Sequence, residues 1–245
     1  MMQNLEVLCR EGDGPVLFDM DGTLFAGDLG ETSFFLLLAS ELLHKEPEAV
    51  SSSDIASLEQ VKGTQAAQVL GSYSKAIKQG QLARAYAITS DYVQTLPYTK
   101  VLRACTRSFE AFCTDCSFWF DGVEHRLFVR KEEHMLTILR TCLEAKRAVF
   151  LVSASPLAVV QAFCELFSLR GITLLAADAE HAPPYGRGKR ERLAGDLVHS
   201  AHLAFGNSIG DVEMLQMACY GILRNPGLDE QLRSLAKEHA WLLID

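Results

Sequence analysis

The sequence predicts an α/β protein, a doubly wound and mostly parallel sheet interrupted after its first strand by a helical insert. Three observations carry this prediction. A short apolar run, Val16 to Met20, ends in Asp-Gly, as a buried strand does at a turn. Residues 31–144 show almost no strand pattern, and after Lys146 strand and helix patterns alternate. Such alternation implies parallel strands joined by crossover helices. The predicted organisation is a core of residues 1–24 and 131–245, with residues 25–130 inserted as a helical cap.

Taken in order, Val16–Met20 is the first core strand. Leu, Ala, Gln, Lys and Glu then dominate at helical spacing, which predicts helices near 30–44, 54–70, 72–95, 98–114 and 132–146. The cluster Ser51-Ser52-Ser53-Asp54 supplies a cap for the second. The aromatic stretch Phe118 to Phe128 mixes strand formers with the turn pair Asp121-Gly122 and reads as a short extended return. Strands follow at Val149–Val152, Ile172–Ala176, Leu203–Phe205 and Tyr220–Leu223, with helices starting at Pro156, Gly188 and Asp211. In open sheets of this type ligands sit beyond the carboxyl ends of the strands, so the residues just after each strand are the ones to inspect.

Composition narrows the function. The formal charge of −8, from 31 acidic and 23 basic residues, leaves no electrostatic footprint for nucleic acid. Neither apolar stretch, Thr32–Ser40 or Ala148–Cys164, is long enough and uninterrupted enough to span a bilayer, so no membrane partner is expected. The first fourteen residues lack the pattern of a secretory signal, which makes the cytoplasm the default location. Seven scattered cysteines suit reduced thiols, and the lone Cys113-Thr-Asp-Cys116 reads as helix packing rather than a zinc site. The run Phe34–Leu38 reads as a buried helix face.

The chemistry gathers at the strand ends. Asp19 and Asp21 are two apart in an extended segment, so both carboxylates can turn toward one site. Two facing carboxylates repel unless a cation or proton intervenes, and Mg²⁺ held by carboxylates and a substrate phosphate is a common remedy. Gly22 permits the sharp turn that follows.

Four motifs in order resemble those of the haloacid-dehalogenase-like superfamily, and more narrowly its phosphoserine-phosphatase-like branch. They are Asp19-Met20-Asp21-Gly22-Thr23-Leu24, Ser153 in Leu-Val-Ser-Ala-Ser-Pro, Lys189 in Tyr-Gly-Arg-Gly-Lys, and Gly206-Asn207-Ser208-Ile209-Gly210-Asp211. The resemblance implies a Mg²⁺-dependent phosphatase acting on a small phosphorylated metabolite. It makes Asp19 the nucleophile and Asp21 the general acid and base. Ser153, Ala154, Lys189, Gly22 and Thr23 become phosphate-binding residues. Asp28 stands nine residues past Asp19, where relatives place a substrate-contacting Glu; a solvated loop aspartate is the alternative.

The implied metal ligands are Asp19, Asp21, Asn207 and Asp211. Asn207 departs from the pattern, because relatives carry Asp there. Either its amide oxygen binds the metal or Asp211 takes over, and Asp211 can also simply cap the next helix. The same departure keeps open a catalytically weak, phospholigand-binding regulatory protein, and a phosphotransferase to an alcohol acceptor stands as a second alternative. None of the seven histidines is needed by the mechanism.

Overall fold

The computed structural model describes residues 2–194, 201–224, 227 and 229–244. It opens with a helix that the sequence reading left unassigned, α1 (Met2–Glu11), which seals Leu5 and Cys9 into the core, one helical turn apart. Strand β1 (Val16–Phe18) follows, buried along its whole length as a strand covered on both faces must be. A short strand, β2 (Phe25–Gly27), then leads out of the sheet.

Helix α2 (Leu29–Leu43) comes next and is buried through Ser40. A helix apolar on every side belongs in an interior, and the Phe34–Leu38 run packs there as expected. Burying each of its large side chains contributes roughly 1.5–3 kcal/mol. Around it lie α3 (Ser52–Ala56), α4 (Gln65–Lys78), α5 (Leu82–Gln94) and α6 (Tyr98–Ala111). Ser51 caps α3 reciprocally with Asp54, as the serine cluster suggested.

Two predicted helices, 54–70 and 72–95, are divided differently. Gly63 at φ 77° and Thr64, which accepts from the Ala67 amide, end one helix and start another; Gly80 at φ 67° then breaks the longer one. Both breaks override a continuous apolar period. The Phe118–Phe128 stretch is likewise a hairpin rather than one extended return. Its strands are β3 (Cys116–Phe120) and β4 (Val123–Leu127), closed by Asp121 and Gly122 at φ 53° and 76°. Positive φ at both turn residues matches the twist of the flanking strands. Cys113 is exposed and Cys116 sits in this hairpin, so neither packs in a helix as expected.

The chain returns through β5 (Val129–Lys131), which pairs antiparallel with β2. Then come α7 (Glu133–Glu144), β6 (Val149–Pro156), α8 (Leu157–Leu166) and β7 (Ile172–Ala177). They are followed by α9 (Arg187–Ala194), β8 (Ala201–Gly206), α10 (Val212–Leu215), β9 (Ala218–Arg224), α11 (Glu230–Glu238) and β10 (Leu242–Ile244). The six-stranded sheet has the order β10-β9-β8-β1-β6-β7 and every pairing in it is parallel.

The chain builds outward from β1 on one side through β6 and β7, then crosses back to lay β8 to β10 on the other. That reversal puts a crevice at the carboxyl end of β1. Val16 and Phe18 face one side, with Phe18 stacked on Phe205 at 4.4 Å, and Leu17 joins the opposite cluster with Leu193, Met214 and Leu232. Among the described residues no helix is long and apolar enough to cross a membrane.

Candidate active site

Beyond β1 the ladder continues for one residue, since the Asp19 amide donates to Phe205 O at 2.9 Å. The chain then turns sharply: the Thr23 and Leu24 amides both donate to Met20 O. Gly22 sits at φ 75°, and a β-carbon there would collide with the Asn207 amide, so two requirements exclude a side chain at this position. The turn brings Asp19, Asp21 and Gly22 to the floor of a cavity of about 430 Å³. Ser153 and Ala154 from β6, Lys189 from α9, and Asn207 and Asp211 after β8 line the same cavity, as does Asp28 from the insert side.

Asp19 is 7 % exposed and held from two directions. Lys189 Nζ donates to its Oδ1 at 2.5 Å and the Thr23 hydroxyl to its Oδ2 at 2.9 Å. Burial, then repulsion from Asp211, pushes its pKa up to about 7 despite Lys189. Lys189 is 2 % exposed, which rules out a solvated surface lysine. Its ammonium also donates to Asp211 Oδ1 at 2.6 Å and to Val152 O at 2.9 Å. Burial alone would depress Lys189, but Asp19 and Asp211 together outweigh it and raise the pKa above the usual lysine value.

Asp21 points elsewhere. Its Oδ2 accepts from Ser155 Oγ at 2.7 Å and Ser153 Oγ at 3.3 Å, and its Oδ1 accepts from the Leu29 amide at 2.7 Å. Burial and the nearby Asp28 push its pKa up to about 7, where a carboxyl can hold a proton near neutral pH. Thr23, expected at the phosphate, is fully buried and not on the cavity wall; its hydroxyl is spent on Asp19 and, at 3.3 Å, on Asn207 Oδ1. It positions the carboxylate instead.

Asp211 takes the capping alternative. Its Oδ2 accepts from the Asn207 amide, the Ser208 amide and the Ser208 hydroxyl at 3.0, 2.9 and 2.9 Å, while Oδ1 serves Lys189. Both oxygens are taken up in anchoring Lys189 and the turn after β8. Asn207 has the better claim to a cation. The side-chain amide atom it presents lies 3.1 Å from Asp21 O and 3.3 Å from Asp19 Oδ2. With the amide oxygen on that side, three oxygens converge, an arrangement a hard divalent cation relieves; with the amide turned, its NH₂ donates to both. This donor set fits Mg²⁺. Among the described residues, no cluster of three His, Cys, Asp or Glu side chains forms a metal centre, so such a site depends on an amide and a main-chain carbonyl.

Asp28 is more than a loop residue. Its Oδ1 caps α2 by accepting from the Glu31 amide at 2.6 Å. Glu31, one turn into the helix, accepts from the Tyr73 hydroxyl at 2.7 Å. Both carboxylates line the cavity, and burial followed by a neighbouring carboxylate (Glu31 beside Asp28, Asp21 beside Glu31) pushes each pKa up to about 7. Tyr86 from α5 and Tyr185 before α9 meet at 5.6 Å on the same wall, with Arg126 and Asp115 nearby.

Sequence reasoning missed Ser155, Glu31, Tyr86, Tyr185 and Arg126. Ser155 carried a signal, since it lies two residues past Ser153 and repeats its direction. Glu31 follows Asp28 at capping-box spacing. Tyr185 opens the motif that ends in Lys189, while Tyr86 and Arg126 carried no signal, because distant segments bring them here.

The sequence profile of the family described as haloacid dehalogenase-like hydrolase matches residues 16–216. No curated protein matches the chain. Among solved structures, a protein of unknown function from Bordetella pertussis Tohama I is 17% identical with a TM-score of 0.56, covering 96% of this chain and 99% of that one. A conserved, functionally unknown protein from Anaerococcus prevotii DSM 20548 is 14% identical with a TM-score of 0.61, covering 98% and 90%. A substrate-bound phosphoserine phosphatase is 14% identical with a TM-score of 0.46, covering 96% and 93%. At these identities the likeness to the first two is one of fold alone.

Proposed function

The chain belongs to the haloacid dehalogenase-like hydrolases, and on that premise we propose that it is a Mg²⁺-dependent phosphatase that cleaves a small phosphomonoester through an aspartyl-phosphate on Asp19. One observation carries the reading: the Asp19 carboxylate sits on the cavity floor between a buried ammonium and a hydroxyl, while Asp21 is turned away from that ammonium onto two serine hydroxyls. This supports Asp19 as the nucleophile and Asp21 as the acid.

An Asp19 oxygen forms a bond to phosphorus and the ester P–O bond breaks. Asp21 gives its proton to the departing oxygen, so the alcohol leaves neutral. Water then attacks phosphorus, Asp21 takes the proton back, and Asp19 is restored with release of phosphate. The Ser153 and Ala154 segment holds phosphate oxygens, and Lys189, whose three N–H groups serve Asp19, Asp211 and Val152, offsets the phosphate charge from beside them. Asp19, the Asp21 carbonyl and Asn207 would hold Mg²⁺, which when bound offsets the charge of carboxylates and phosphate.

Residues 25–130 act as a cap over this chemistry. The cavity of about 430 Å³ suits a small metabolite, and a covering insert disfavours phosphoproteins. Asp28 and Glu31 set a further limit, because extra negative charge on the substrate would face them, whereas a neutral or ammonium-bearing ester would not.

Phosphate release from p-nitrophenyl phosphate, with and without Mg²⁺, tests the proposal. Asp19→Asn should lower kcat by ~10³-fold or more. Activity within tenfold of wild type would reject the covalent route, and absence of Mg²⁺-dependent turnover in the wild type would favour a binding role.

A further inference from the structure

Arg224 ends β9 with a guanidinium that is only 5 % exposed. Its Nη1 donates to three main-chain carbonyls of the loop after Asp19: Gly22 O at 2.8 Å, Thr23 O at 3.1 Å and Phe25 O at 3.2 Å. Its Nη2 lies 3.4 Å from Glu132 Oε1. Carbonyls in a buried segment are usually satisfied by main-chain amides. Here three from one short loop are gathered on a single cation, and their dipoles together with Glu132, which Arg130 also reaches at 3.2 Å, offset part of the cost of burying that charge, although Nε has no partner among the described residues.

The partners occupy informative places. Gly22 and Thr23 directly follow Asp21, Phe25 opens β2 where the chain leaves the sheet, and Glu132 follows β5 where it returns. One side chain thus joins the reactive loop to both linkers of the insert. The loop needs a restraint, because Gly22 at positive φ has the freedom to let the adjoining Asp21–Gly22 peptide reorient, and that peptide carries the carbonyl facing Asn207.

The geometry points to Arg224 as a positioning residue: with Glu132 it clamps the loop over residues 22–25 and so fixes Asp21 relative to Asp19. The kinetic part of this inference rests on the phosphatase reading; the structural part does not.

The test measures turnover of p-nitrophenyl phosphate and amide hydrogen exchange on the same samples of wild type, Arg224→Gln and Arg224→Lys. Arg224→Gln should lower kcat by ~10²-fold, the scale of an ångström's misplacement, with KM changed far less. Exchange over residues 20–25 should quicken about tenfold while β6 keeps its wild-type rate. Arg224→Lys keeps the charge but not the planar fork, so it should fall about midway on both readouts. Unchanged kcat, or exchange that rises equally in the loop and in β6, would overturn the clamp and leave only a general structural role. Should Arg224→Gln fail to fold, the same two readouts on Arg224→Lys decide the matter. If the wild type hydrolyses no phosphate ester, the phosphatase reading fails while the exchange comparison still decides for or against the clamp.

Discussion

On the floor of the cavity Asp19 and Asp211 share one buried ammonium, at 2.5 and 2.6 Å from Lys189 Nζ, whereas on the wall Asp28 and Glu31 have only neutral donors, the Glu31 amide at 2.6 Å and the Tyr73 hydroxyl at 2.7 Å. The floor is a closed electrostatic unit. The wall is not: burial pushes the carboxyls of both sides, Asp19 as well as Asp28 and Glu31, up to about 7, but only the floor has a cation to answer them. A floor that must receive phosphate needs its cation fixed in advance, while a wall that faces the organic part of a substrate can leave its charge for that substrate to answer. This contrast predicts opposite responses to neutralising a charge on each side.

The largest effect is expected on the floor. Lys189→Met should remove the charge that offsets Asp19 and Asp211, lowering kcat by ~10²–10³-fold. It should also cost roughly 3–5 kcal/mol of stability near neutral pH, because two buried carboxylates lose their partner. Denaturant unfolding alongside turnover checks both, and a mild result on both would dissolve the distinction between floor and wall.

Asn207→Asp adds a negative charge beside Asp19 Oδ2 and Asp21 O. It should tighten Mg²⁺ by about tenfold, or ~1–2 kcal/mol, since repulsion from the existing carboxylates opposes the direct gain. The half-saturating Mg²⁺ concentration measures this. No shift would mean that the cation does not touch residue 207.

On the wall, Glu31→Gln should leave stability nearly unchanged or slightly raised at pH 8. The sign follows from linkage: a carboxyl with its folded pKa raised to about 7 adds stability below its unfolded value of 4.5 and loses it as pH rises through the folded value. At pH 8 the wild type therefore gains nothing from this group. The same change should reduce the preference for an ammonium-bearing ester over its neutral isostere severalfold. Equal turnover of the two esters by wild type would remove the wall's proposed role.

These outcomes bear on how far the sequence could be read. The floor was legible because a parallel sheet delivers residues at strand ends to one crevice, so Asp19, Ser153, Lys189 and Asn207 follow from motif order alone. Thr23 and Asp211 were open at the level of single atoms: whether a hydroxyl or carboxylate faces the cavity or, as with the Asp211 cap, the adjoining turn depends on hydrogen bonds that spacing does not reveal. The wall was largely illegible. Glu31 and Tyr73 lie 42 residues apart and meet only when α2 packs against α4. Arg224 and Gly22, 202 apart, meet across the sheet. The misplaced helix breaks at Gly63 and Gly80 have a local cause, glycine at positive φ, that an uninterrupted apolar period conceals.

The insert offers a contrast of opposite sign with the site. His125 is buried in the β3–β4 hairpin against Phe35 and Phe118, with Nε2 on Ser74 Oγ, and burial depresses its pKa to about 4. A depressed histidine adds stability above its unfolded value of 6.5, and that contribution is lost as pH falls toward 4, by an amount of order 3 kcal/mol. The site carboxylates have the opposite sign. Hydrogen exchange in the hairpin between pH 4 and 7 should therefore show acid loosening, and His125→Phe should flatten it.

In the proposed mechanism Asp19 becomes phosphorylated, and that acyl phosphate can be trapped. During turnover of a phosphate ester the enzyme is acid-quenched, reduced with borohydride and digested, and the peptide containing residue 19 is sequenced by mass spectrometry. An acyl phosphate is reduced to an alcohol, so homoserine should appear at position 19 in the wild type, only when substrate is present. Sustained turnover with Asp19 unmodified, and with Asp19→Asn still active, would contradict the covalent mechanism.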